Sequence, residues 1–138
     1  MATSTSFLEE RLDAGALPLA VGDILVIFLL VTVGVIQHNG VSYLSTDPVA
    51  WVLTAVPFIV AWGLVAPLLG AYSPGAAESA KSAVPLGIRS WLVAAILGAV
   101  IRWTPLFDGG ADPIFIGVML VLGSIALGVW RTLYFRLV

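Results

Sequence analysis

Cysteine is absent from this 138-residue chain, and His38 is its only histidine. Without cysteine there is no disulfide framework, thiolate metal site or cysteine nucleophile, and no redox compartment can be read. One histidine alone does not make a usual zinc centre, and no constellation in the chain implies a cofactor. Charge is scarce as well: six basic and eight acidic residues make up 10% of the chain, against about a quarter in a soluble domain. A net charge of -2 with no basic run leaves no nucleic-acid footprint. Glu9, Glu10, Arg11 and Asp13 give the N-terminal stretch an acidic balance, which suits neither a secretory signal nor a transit peptide. The first apolar segment is therefore expected to be retained.

What the chain has in abundance is apolar surface. Hydrophobic residues make up 60% of it, and the mean hydropathy is +1.09. That leaves too little polar surface to coat a water-soluble fold. Four bilayer spans of roughly 20 residues each would use about 80 residues and leave the rest for a tail and short loops. The expected class is an all-α integral membrane four-helix bundle.

The spans are expected at about residues 19–37, 49–69, 84–103 and 113–134. Pro18 suits the first turn of the first span, and His38-Asn39-Gly40 closes it. Asp47-Pro48 and Asp112-Pro113 both read as an N-cap followed by proline. Residues 70–82 form the one internal stretch of low hydrophobicity and read as a loop. Within it, GAAESAKS at residues 75–82 approaches a phosphate loop, with Ala80 in place of the second glycine. It lacks the preceding strand that the motif requires and is dismissed. Residues 1–18 form a tail or a short interfacial helix. No barrel-type alternation and no internal repeat is visible.

Orientation is read from Arg11, Lys81, Arg131 and Arg136, which all fall on one side of an even number of spans. The loop between spans one and two has no basic residue. Both termini are expected to be cytoplasmic, in a multi-pass protein of the cell membrane.

Charges inside the spans need company. Asp23 lies about five residues into span one, where an unpaired carboxylate costs a few kcal/mol. Gly34 shares its stripe, and Gln37 and His38 flank the far end. Asp23 reads either as a proton or ion ligand or, more ordinarily, as half of a buried ion pair or a capping group near the cytoplasmic interface. Span four offers a comparable stripe of Gly117, Ser124, Gly128 and Arg131, whose small residues let helices approach closely. Arg131 lies at about the depth of Asp23, so a pair between them is expected. Arg89 is the competing partner, but it points away from the Gly87, Trp91, Ala94 and Gly98 stripe and reads as snorkelling. At the outer end, His38, Arg102, Asp108 and Asp112 form a second candidate polar cluster, read as an ion entry or as simple charge satisfaction at the interface. Pro57 should kink span two. Trp51, Trp103 and Trp130 suit an interfacial belt, and Trp62 and Trp91 suit internal packing.

These residues, in order, resemble the family known as domain of unknown function 3054, small four-helix membrane proteins of actinobacteria and haloarchaea. The resemblance rests on Asp23, Gly34 with His38 and Gly40, Pro57-Phe58 with Trp62, Gly87 with Trp91, Gly98 with Arg102, and Trp130-Arg131. It covers about residues 19–136, while Arg89 and the 75–82 loop fall outside the pattern. It implies the fold and the type of organism but no chemistry. Five arginines to one lysine and the acidic tail suit a haloarchaeon.

The expected function is a structural or accessory membrane protein. It would meet the lipid bilayer and associate with copies of itself or with another membrane protein. The rival is a small ion, proton or solute transporter or channel that acts as an oligomer, with Asp23 and Arg131 as its inner charge site and His38 and Arg102 as its outer one. An enzyme is not expected, because the spans hold no nucleophile or metal cluster.

Overall fold

The computed structural model describes residues 12–76, 78–104 and 113–138. Four long helices organise it: α1 (Leu17–Asn39), α2 (Pro48–Leu68), α3 (Ala80–Arg102) and α4 (Pro113–Leu137). Each is long and apolar enough to cross a membrane. The 23 residues of α1 extend about 34 Å, enough for a hydrocarbon layer of about 30 Å. The chain is a multi-pass, all-α membrane protein.

Local chemistry sets the helix ends. Asp47 accepts the Ala50 N–H at 3.2 Å through its side chain, and Pro48 opens α2 behind it. Gly40 closes α1 with φ of 86° while its N–H bonds the Ile36 carbonyl at 2.8 Å. Gly70, at φ of 84°, lets the chain turn back so that Ala71 N–H reaches the Ala66 carbonyl at 2.9 Å. The positive φ at both positions is one that glycine adopts without a Cβ penalty. A single helical turn, Tyr43–Thr46, fills the α1–α2 connection.

Helix α3 starts at Ala80, four residues before the expected Val84. Its first turn contains Lys81 and Ser82, which hide a helix from a reading based on apolar runs. The stretch read as a tail or interfacial helix is described only from Leu12. From there it forms a single bridge to Tyr72 and a 3-10 turn, Ala14–Ala16, that runs into α1. The cap read at Asp112 lies outside the described residues.

The helices form a ring in chain order, α1 against α2, α2 against α3, α3 against α4 and α4 against α1. Contacts at the two ends show that they alternate in direction. At one end, Asp23 near the start of α1 meets Arg131 near the end of α4, and Arg131 also bonds the Ala83 carbonyl at the start of α3. At the other end, Trp51 of α2 donates to Thr32 of α1 at 2.9 Å.

Small residues allow this packing. Helix α3 buries Ala83, Gly87, Ala94, Ala95, Gly98 and Ala99 along one side. A Cβ on Gly98 would stand 2.5 Å from Phe58 Cδ1. Between lipid-facing helices, where apolar burial drives little association, such close backbone approach supplies the packing energy. Pro57 is buried inside α2, which continues past it to Leu68. Its missing N–H leaves the Leu53 carbonyl without the usual helical donor.

Candidate functional site

Arg131 is fully buried in the bundle. It and Asp23 are both 0% exposed. Arg131 Nη2 lies 2.6 Å from Asp23 Oδ2 and Nε lies 3.2 Å from Oδ1, a two-point contact between guanidinium and carboxylate. Nη1 donates to the Ala83 carbonyl at 2.8 Å and the Ala71 carbonyl at 3.3 Å. Four of the five guanidinium N–H groups are thereby placed. The two expected partners are brought together, and Arg89, the competitor, is exposed on the outside of α3.

Two aromatic residues complete the arrangement. Tyr72, in the α2–α3 connection, donates its O–H to Asp23 Oδ2 at 2.6 Å and accepts the Trp62 indole N–H at 2.7 Å. Burial and the Asp23 charge push the Tyr72 phenol well above its ordinary value, with burial the larger cause. It therefore stays a donor. The Arg131 guanidinium carbon lies 5.4 Å from the Tyr72 ring centroid and 6.0 Å from that of Trp62, within cation–π range. Each of the four helices supplies a member: Asp23 from α1, Trp62 from α2, the Ala83 carbonyl from α3 and Arg131 from α4.

From the sequence Trp62 is expected as a packing residue and as part of the family pattern, and Tyr72 carries no expectation. A lone tyrosine in a Gly-, Ala- and Ser-rich connection was the available signal, because a buried phenol needs a hydrogen-bond partner. The carbonyls of Ala71 and Ala83 left no signal at all, since any residue carries one.

Glycine makes room for the guanidinium. A Cβ on Gly87 would stand 2.7 Å from both Cδ and Nε of Arg131. On α1, a Cβ on Gly22 would overlap the Trp130 indole. These contacts gather Asp23, Trp62, Gly87 and Trp130-Arg131 of the order-dependent sequence pattern at one end of the bundle.

A family of proteins matches over residues 20–134, described as protein of unknown function (DUF3054). The chain belongs to this family. No curated protein and no solved structure matches it.

The outer cluster read for this DUF3054 protein does not assemble among the described residues. His38 is exposed, and no hydrogen bond or ion pair joins it to Arg102. His38 lies on the surface side of the last turn of α1, which Gly40 closes. Arg102 is half-buried near Tyr43. Asp108 and Asp112 lie outside the described residues. No group of three or more His, Asp or Glu residues that could hold a metal occurs among those described.

The expected packing face of α4 needs correction. The buried residues are Met119, Gly123, Leu127 and Arg131, a row at four-residue spacing that faces the oblique neighbouring helices. Gly117 is exposed, with nothing within 4 Å of a Cβ there. Ser124 and Gly128 are half-buried. Gly123 is the close-packing glycine, because a Cβ on it would overlap the Trp91 indole, whose N–H bonds the Met119 carbonyl at 2.8 Å. Gly34 packs loosely, with Phe115 Cε1 at 3.9 Å from a Cβ position. Trp130 is half-buried over Gly22, and Trp103 is strongly exposed at 74%.

Proposed function

We propose that this DUF3054 protein is a structural or accessory component of the cell membrane, without enzymatic activity of its own, that associates with copies of itself or with another membrane protein. The carrying observation is the closure of the polar network. Arg131 spends four of its N–H groups on Asp23 and two main-chain carbonyls, and neither Asp23 nor Arg131 lines either of two surface grooves, although Tyr72 lines one of them. A charge held this way fastens helices together. An ion path needs a charged group that a passing ion can reach.

Helix α4 supports the association. Only 17% of its most apolar 18-residue stretch is buried, against 39% for each of the other three helices. It therefore leaves a long face for lipid or a protein partner. The end that carries the network also carries Lys81 and Arg136, so that end and both termini are assigned to the cytoplasmic side. The preference for arginine over lysine fits a haloarchaeal source.

A liposome flux assay over a panel of ions and protons tests this reading. Wild type and Asp23→Asn should both match empty liposomes. Flux carried by wild type and abolished by Asp23→Asn would establish the transporter or channel instead. Cross-linking in native membranes tests association, which predicts a discrete oligomer or a single partner band.

A further inference from the structure

A groove on the outer surface between α3 and α4 plays no part in the charge network. It has a volume of about 510 Å³, and its lining includes Val84, Ile88, Ser124, Gly128, Thr132 and Arg136. Gly128 forms its floor: a Cβ there would lie 3.5 Å from Ile88 Cδ1 and 3.9 Å from Val84 Cγ1. The hydroxyls of Ser124 and Thr132 each donate at 2.7 Å to carbonyls of their own helix, those of Leu120 and Gly128. The groove is therefore apolar along its length. From Ser124 to Arg136 it runs about 18 Å, slightly more than the roughly 15 Å depth of one leaflet of hydrocarbon.

Its charge is confined to one end. Arg136 lines that end, is exposed and has no carboxylate partner among the described residues. Lys81 lies seven residues before Ile88, on the same face of α3. The Arg131–Ala83 contact of 2.8 Å puts the start of α3 level with the last turns of α4, so Lys81, one turn before the lining residue Val84, lies at the same end of the groove as Arg136. Glu78, the acidic residue nearest in sequence, is exposed and pairs with neither. Neither α3 nor α4 contains an aspartate or glutamate.

We propose that this groove binds an anionic phospholipid, with a hydrocarbon chain along Gly128 and the phosphate between Lys81 and Arg136. Charge complementarity selects the occupant. A zwitterionic lipid brings its own cation to a mouth that already holds two. A second copy packed two-fold on the same face brings another Lys81 and Arg136, and neither helix offers a carboxylate to offset them.

Native mass spectrometry of the protein in neutral detergent, with phosphatidylglycerol or phosphatidylcholine added, tests the proposal. Wild type should retain phosphatidylglycerol in preference. Arg136→Gln and Lys81→Gln change exposed residues outside the packed core, and each should weaken phosphatidylglycerol retention about fivefold while leaving phosphatidylcholine unchanged. Gly128→Leu fills the floor and should displace the hydrocarbon chain. Equal retention of the two lipids by wild type overturns the proposal, as does undiminished phosphatidylglycerol on the doubly substituted Lys81→Gln, Arg136→Gln protein. A disulfide-linked dimer of Gly128→Cys in phosphatidylglycerol vesicles would also overturn it by placing a second copy in the groove.

Discussion

Asp23 and Arg131, 108 residues apart in sequence, face each other across the bundle with two N–H···O contacts and no exposed surface on either side chain. The pair ties the first helix to the last. Because Arg131 also holds carbonyls at the ends of the α2–α3 connection, one side chain joins three segments that the chain order would otherwise leave to separate contacts.

Removing one partner leaves the other as an uncompensated buried charge. Arg131→Leu should therefore destabilise the detergent-solubilised protein by about 3–5 kcal/mol. Adding Asp23→Asn removes the stranded carboxylate and should recover part of that loss. Thermal unfolding of the wild type, two single variants and double variant gives the coupling directly. Strict additivity of the two effects would show that the residues do not act as a pair.

Tyr72→Phe tests the next link. It leaves Trp62 Nε1 without its acceptor and Asp23 Oδ2 without one donor, at a cost of about 1–3 kcal/mol. In a Trp62→Phe background the same change should cost less, since the indole N–H is already gone. Unfolding midpoints of the four proteins decide this.

The Tyr72 phenol also gives a pH signature. Its folded value is raised above the ordinary 10.0, so the folded state keeps a proton that the unfolded state releases. The corresponding stability is complete below the ordinary tyrosine value and declines as the pH rises above about 10. Wild type should lose stability on that alkaline side, and Tyr72→Phe should lose less over the same interval. Parallel stability curves for the two proteins above pH 10 would sever the link.

The sequence made the spans and the Asp23–Arg131 pair legible for one reason: hydrocarbon penalises a lone charge so heavily that few arrangements remain. Both charges lie a few residues inside the same end of their spans, and depth alone narrows the partners. The buried face of α4 differs from the expected one because Gly117 and Gly123 stand about 120° apart around the helix, and only the helix's rotation decides which of them turns inward. Composition does not fix that rotation. It follows from Trp91, whose indole needs the space that Gly123 leaves empty. The start of α3 was hidden by Lys81 and Ser82, and the phenol of Tyr72 by its position in a connection whose path a sequence does not show.

That difference between the glycines can be measured. Gly117→Ala adds a methyl group in open space and should be neutral or slightly stabilising, because alanine favours helix. Gly123→Ala drives a methyl group into the buried Trp91 indole and Gly22→Ala into the half-buried Trp130 indole, and each should cost about 1–3 kcal/mol. Gly87→Ala displaces the Arg131 side chain itself, so its cost should shrink in the Arg131→Leu background. Equal stability of Gly117→Ala and Gly123→Ala would place the α4 interface on the wrong face.

Topology offers a test that the lack of cysteine makes clean. Ser79→Cys lies at the end of the bundle that holds the charge network, and Ser45→Cys in the opposite connection; both positions are exposed. With the network end in the cytoplasm, a membrane-impermeant maleimide applied to intact cells should label Ser45→Cys and spare Ser79→Cys until the cells are opened. The reverse pattern would put Lys81 and Arg136 outside. It would also move the proposed lipid site to the other leaflet without disturbing the Asp23–Arg131 pair, because that pair depends on packing within the bundle and not on which way the bundle points.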